Sequence, residues 1–212
     1  MVVSNRSDAN VYDVNLVGGN VCLDFTNTLY WRGRKDCEEL IKTYSDFINW
    51  SLRVKLINSD QAEQLQQKAS EYPEKAEKIR LRAIKLREVI FRIFNLHSEH
   101  LDVDEEDLDR LNFEWGRRMI TSKLVQDPNG FHWNLNGNEE SMDWILTPIL
   151  VSGIELLTSK DIRRVKRCAD SDCSWLFFDQ SRNRSRRWCD MKDCGNRAKV
   201  NRFFKRRRSD TV

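Results

Sequence analysis

No stretch of this 212-residue chain is long and apolar enough to cross a bilayer. The longest apolar run, Ile145 to Leu157, is broken by Thr147, Pro148, Ser152 and Glu155, which suits a buried helix rather than a membrane span. Met1 to Asn10 are polar and charged where a secretory leader would place its apolar stretch, so the expected location is cytoplasmic, with no membrane partner. Histidine is scarce: the chain has only His97, His100 and His132, none of them in the C-terminal fifth. That argues against a histidine-based nuclease site there. A Gly-rich phosphate cradle and a nucleophile elbow are also missing, so no catalytic residue is assigned and the chain reads as a non-enzyme. Internal repeats, low-complexity tracts and long Pro/Gly linkers are lacking too, which favours a C-terminal module docked near the core over one on a long tether.

What remains is 40% hydrophobic and 33% charged, enough apolar material for a core in one ordinary domain plus a small appendage, or in two modest ones. The net charge of +3 conceals a division: Lys160 to Arg208 holds 17 of the 36 Lys and Arg but 6 of the 33 Asp and Glu, giving +11. The rest carries 19 basic against 27 acidic residues, or −8. Such a surplus on the C-terminal segment suits a polyanion.

Hydrophobic spacing gives mostly helices. Leu16 to Arg34 fits either a strand feeding a helix or a helix throughout. Tyr44 to Leu56 reads as a helix, Asp60 with Glu63 as a capping box opening the next, and Pro73 as the break before a long central helix reaching about His100. Asp104 to Ile120 places Leu108, Leu111, Trp115 and Met119 on one side, behind an acidic N-terminus. Lys123 to Gln126 and Phe131 to Leu135 flank Asp127-Pro128-Asn129-Gly130, a hairpin signal. Met142 to Thr158 follows as an apolar helix in which Pro148 marks a kink or a late start.

Six cysteines would allow three disulfides, yet four fall in equally spaced pairs: Cys168 and Cys173, then Cys189 and Cys194, each with four residues between. Paired thiols with short spacers predict one structural Zn²⁺ per chain, and four thiolates leave no open position for a catalytic water. Arg164 to Arg167 and Trp175 to Phe178 read as strands around the first pair, and the second pair leads into a helix from about Gly195. Trp175, Phe177, Trp188 and Phe203 are the candidate core of this small module, stapled by the metal, whose folding role is expected to stay largely within it. On the terminal helix a rotation of about 100° per residue separates Val200, Phe203 and Phe204, expected to pack on the knuckle, from a basic face. The candidate nucleic-acid contacts are Arg182, Arg184, Arg186 and Arg187 together with Arg197, Lys199, Arg202, Lys205 and Arg206.

The run Trp188 to Lys199, with Cys194-Gly195-Asn196-Arg197 at its centre, resembles the hallmark of the CGNR zinc finger. Leu23-Asp24-Phe25-Thr26-Asn27-Thr28-Leu29 resembles the opening of the ABATE domain, which precedes this finger in a family of bacterial proteins assigned to stress-induced transcription regulation. The two resemblances span nearly the whole chain. They imply a mainly helical N-terminal domain with some strand, and zinc ligands matching Cys168, Cys173, Cys189 and Cys194.

The expected fold is thus α+β: a mainly α-helical domain with a small β-hairpin over residues 1–158, then a treble-clef-like four-cysteine zinc finger over 159–212. The expected function is a DNA-binding transcription regulator, with an N-terminal domain that senses a small-molecule effector or mediates assembly, for example as a homodimer. RNA binding by the same module is the alternative, and a nucleic-acid-processing enzyme a weaker one. Asp24, Asn27, Thr28 and Arg32 either line a ligand pocket or cap and brace the first helix. His97 and His100 could share a metal on one helix face, but no third ligand is evident, and a solvated helix end is the better reading. Cys22 and Cys37 read as buried small hydrophobes.

Overall fold

The computed structural model describes residues 10–12, 14–128, 130–135 and 141–209, with side chains through Phe204. The first helix, α1 (Val21–Thr26), is only a turn and a half long, and it buries Cys22, Leu23, Phe25 and Thr26. Asn20 caps it, accepting from the Cys22 N–H at 3.2 Å. The chain then makes a two-residue strand, β1 (Leu29–Tyr30), pairing antiparallel with β2 (Glu38–Glu39). The ambiguous Leu16–Arg34 segment is therefore a short helix followed by a strand.

Helix α2 (Tyr44–Arg53) starts on a reciprocal cap between Thr43 and Asp46. Helix α3 (Ser59–Glu71) starts on Asn58, whose side chain accepts from the Gln61 N–H at 2.9 Å. The expected Asp60–Glu63 box is thus displaced by two residues, because Asn58 offers the same acceptor chemistry one step before the helical register begins. The central helix α4 (Pro73–Ser98) has proline in its first turn, where the missing N–H costs nothing. At 26 residues it runs for about 39 Å. It buries Ile79, Ala83, Leu86, Ile90 and Ile93 as the spacing predicts.

Helix α5 (Glu105–Thr121) packs on α4 through Leu111, but Leu108 is exposed and Asp107 and Arg118 are buried instead. Ion pairs from neighbouring elements explain that choice: Arg92 holds Asp107 at 2.5 Å, and Arg118 reaches Asp143 at 2.9 Å. Strands β3 (Lys123–Asp127) and β4 (Gly130–Asn134) form the expected hairpin, with Asp127 opposite Gly130 and Leu124 opposite Trp133. A 3-10 turn over Met142–Leu146 then leads into α6 (Thr147–Thr158), where Pro148 again sits in the first turn. Pro148 marks a late start, not a kink. No helix among the described residues is long and apolar enough to cross a membrane.

The C-terminal module consists of β5 (Val165–Arg167), β6 (Leu176–Phe178), a π-turn over Met191–Gly195 and α7 (Asn196–Ser209). Strands β5 and β6 pair antiparallel, with Lys166 opposite Phe177. The buried residues form one set, running from Phe25, Phe47 and Trp50 through α4 and α6 to Val165, Leu176, Phe177 and the four paired cysteines. Cys22 belongs to it, but Cys37 is exposed on the loop before β2, contrary to the sequence expectation.

Candidate zinc centre and basic face

The sulfur atoms of Cys168, Cys173, Cys189 and Cys194 lie within 4.8 Å of one another, and all four residues are buried. Cys173 and Cys189 are 3.5 Å apart, Cys189 and Cys194 3.6 Å. Ligands about 2.3 Å from a tetrahedral zinc are about 3.8 Å from each other, so these separations suit the ion. Neighbouring sulfurs, reinforced by burial, push the thiols of Cys173 and Cys189 up, whereas thiol donors from the other three residues drive Cys168 down. Four thiolates at this spacing need a divalent charge between them, and the donor set fits one structural zinc ion.

The surrounding residues explain the Cys-Gly-Asn-Arg run. A Cβ on Gly195 would press within 3.0 Å of the Met191 sulfur, inside the tight π-turn. The Asn196 amide donates to the Lys192 carbonyl at 2.9 Å. Arg197 donates to the Cys194 sulfur at 3.0 Å, to Asp170 at 2.7 Å and to Asp193 at 3.0 Å, and its guanidinium lies 4.3 Å from the Trp31 ring centre. Such donors steady a metal-bound thiolate. Arg197 is therefore engaged within the finger rather than held out for phosphate. Arg186 is engaged too, donating to the Trp188 and Cys189 carbonyls and stacking 4.6 Å from the Phe177 ring centre.

The loop between β6 and Cys189 is organised by Asp179. Burial pushes its carboxyl up, but donors from Lys166, Ser181 and the Arg186 N–H outweigh that and hold it well below the usual carboxylate range. Folding Arg186 inward leaves Arg182, Arg184 and Arg187 exposed on the outside of the same loop. On α7, every described side chain from Lys199 to Phe204 is exposed, Lys199 and Arg202 among them. The side chains of Lys205 and Arg206 lie outside the described residues. Val200, Phe203 and Phe204 do not cover the knuckle as expected; they are 51%, 55% and 57% exposed, and the two phenyl rings meet at 5.8 Å. The helix projects beyond the knuckle, whose own core closes without it around Trp175, Leu176 and Phe177.

The four polar residues near the first helix each have internal partners. Asp24 accepts from the Gly18 N–H at 2.8 Å. The Asn27 carboxamide donates to the Leu176 carbonyl at 2.9 Å and accepts from the Leu176 N–H at 3.1 Å. Thr28 donates to Phe25 and accepts from the buried Arg87, which grips Glu39 with two bonds. Arg32 pairs with Glu88 at 2.6 Å and lies 3.8 Å from the Phe91 ring centre. Bracing accounts for the bonds that these residues make. His97 and His100 join no set of three or more close metal-ligating groups among the described residues.

Sequence reasoning missed the strap that joins the two halves, residues 29–34. The Trp175 indole donates to the Leu29 carbonyl at 3.1 Å, and the Gly33 N–H donates to the Asp172 carbonyl at 3.1 Å. A Cβ on Gly33 would fall 1.7 Å from the Ser171 carbonyl oxygen, so only glycine permits this approach to the first knuckle. Arg34 pairs with Asp172 at 2.9 Å, and its guanidinium lies 3.9 Å from the Trp31 ring centre. The Trp31-Arg32-Gly33-Arg34 run was the available signal, a glycine between two arginines beside an aromatic.

No curated protein matches the chain. Residues 164–207 match the family model of the CGNR zinc finger. Residues 19–160 match that of the ABATE domain, described as "Putative stress-induced transcription regulator". With that match covering two thirds of its length and the finger following in order, the chain belongs to the ABATE family and carries a CGNR zinc finger at its C-terminal end.

Proposed function

We propose that this protein is a DNA-binding transcription regulator in which residues 159–212 contact the duplex and residues 1–158 mediate assembly. The observation that carries the reading is the projecting α7, exposed at every described position from Lys199 to Phe204. An α-helix fits the major groove, where Arg and Lys read guanine and apolar side chains meet the thymine methyl. Lys199 and Arg202, both exposed on the basic face of the helix, are the base-reading candidates. Arg182, Arg184 and Arg187, on the loop fixed by Asp179, are the phosphate anchors. The assembly role is favoured over effector sensing because Asp24, Asn27, Thr28 and Arg32 are spent on internal bonds.

The exposed Phe203–Phe204 pair supports RNA as the second reading, since unpaired bases stack on such rings. Selection of bound fragments from a sheared genomic pool, in parallel with a cellular RNA pool, separates the two. Enrichment of a shared duplex sequence is expected. Enrichment of RNA alone would replace the DNA reading, and no enrichment from either pool would remove nucleic-acid binding.

A further inference from the structure

Trp31 lies within the ABATE region, residues 19–160, yet its side chain packs among the residues that hold the four cysteines. The Arg34 guanidinium lies 3.9 Å from its ring centre and that of Arg197 4.3 Å. Both arginines are tied to the loop between Cys168 and Cys173: Arg34 pairs with Asp172 at 2.9 Å and Arg197 with Asp170 at 2.7 Å. Arg197 follows the second cysteine pair and also donates to the Cys194 sulfur at 3.0 Å. One indole from outside the finger thus meets two cations that between them reach both knuckles. The Trp31 backbone is left-handed, with a φ of 52°. Bulky residues rarely adopt that region, and they keep it where the surroundings over-determine it.

The space beside the sulfurs is closed by the same residue. Tyr30, Trp31 and Trp175 form one wall of a cavity of about 50 Å³ that Cys173, Cys189 and Cys194 also line. The Tyr30 ring centre stands 5.2 Å from that of Trp31 and 5.7 Å from that of Trp175, so the wall is continuous. The cavity has room for a few waters and for nothing larger. Removing the indole widens it beside Arg197, where water then competes with the guanidinium for the Cys194 sulfur.

We infer that Trp31 is a positioning residue of the zinc centre. Its ring holds the Arg197 guanidinium on the Cys194 thiolate, so the ABATE region sets part of the finger's affinity for zinc. A guanidinium is drawn to an indole face by the ring quadrupole, and a planar fork already held in place loses less freedom on bonding to sulfur. The inference rests on zinc at the four cysteines. A chain that takes up no zinc refutes the centre itself, whereas zinc uptake indifferent to Trp31 refutes only the role given to this ring.

The experiment is competition for zinc between the full chain and a chelator of known affinity. Arg197→Ala is expected to weaken zinc binding by about 10–100-fold, the usual effect of losing a partner of a metal ligand. Trp31→Leu keeps apolar bulk without a ring face and is expected to weaken it by at least about threefold, whereas Trp31→Phe stays within about twofold of wild type. Because Trp31 acts through Arg197, Trp31→Leu is expected to add nothing in the Arg197→Ala chain. Asn27→Ala, which loosens the joint to Leu176 without touching Arg197, controls for general loss of structure. With cobalt in place of zinc, the sulfur-to-metal charge-transfer band is expected to shift alike in Arg197→Ala and Trp31→Leu and to stay in place in Asn27→Ala. In the unaltered zinc-loaded chain, where no variant has to fold, NMR is expected to find the Arg197 side-chain protons moved upfield by the indole ring current. Wild-type zinc affinity in Trp31→Leu, losses that multiply in the double variant, or Arg197 protons at ordinary positions would each overturn the inference.

Discussion

At the scale of the residue, Asn27 stands in for a neighbouring strand. Its carboxamide meets both the N–H and the C=O of the buried Leu176, which otherwise have no water to turn to. Asn27→Ala orphans both, and at about 1–3 kcal/mol for each unmet group it is expected to lower unfolding stability by roughly 2–4 kcal/mol, read from the denaturant midpoint at unchanged slope. Asp24 behaves differently. Burial pushes its carboxyl up to about 6, against weaker opposing contributions from the Gly18 N–H and Arg53. The folded chain therefore holds a proton that the unfolded chain releases, so this group makes stability fall as pH rises from about 4 to 6. Asp24→Asn keeps the acceptor for Gly18 without the charge, and is expected to flatten that slope and to raise stability near neutral pH, by up to 2–3 kcal/mol. Chemical denaturation at several pH values measures both effects, and an unchanged slope in Asp24→Asn would refute the assignment. The sequence marked these two side chains as polar groups in an apolar segment. It could not name Leu176 as a partner, because that residue lies 149 positions away.

Elements were legible where spacing alone decides them. The long α4 and the hairpin follow from periodicity and turn chemistry, whereas Pro148 left a kink and a late start open until the structure placed it in the first turn of α6. Faces were less legible, because a period says which residues share a side and not whether anything covers it. Val200, Phe203 and Phe204 do share a side of α7, but the knuckle core is already closed by Trp175, Leu176 and Phe177. Leu108 lost its expected place on α5 to the ion-paired Asp107 for the same kind of reason, a charge supplied from Arg92 on another helix. The strap at 29–34 is the element most sensitive to one atom. Gly33→Ala forces a Cβ onto the Ser171 carbonyl, so it is expected to detach the strap from the knuckle and lower stability by about 2–4 kcal/mol while zinc stoichiometry stays at one. Thermal unfolding with metal analysis of the same sample checks it; wild-type stability in Gly33→Ala would show that the strap does not hold the knuckle.

For the molecule as a whole, the cysteine spacing revealed the metal centre directly, whereas the extent of its influence was not legible. The expectation that zinc folds mainly its own module meets a core that is continuous from Phe25 to Phe177, and β6 hydrogen bonds to Asn27 and to the Gly18 carbonyl. Removing the ion with a chelator is accordingly expected to destabilise the helical region too, as one cooperative transition at lower temperature instead of a separate loss at the C-terminal end. Calorimetry with and without zinc distinguishes the cases; an unshifted main transition in the metal-free protein would contradict the shared core. The central claim is that the basic surface of this finger binds duplex DNA, and the salt dependence of affinity tests it most directly. Zinc-loaded wild type and the Arg182→Ala, Arg184→Ala, Arg187→Ala triple variant are titrated against one duplex at several salt concentrations. The account predicts binding that weakens steeply with salt and a log–log slope that is shallower in the variant by about 0.9 for each phosphate contact removed. Binding with no salt dependence, or a triple variant with the slope and affinity of wild type, would contradict it.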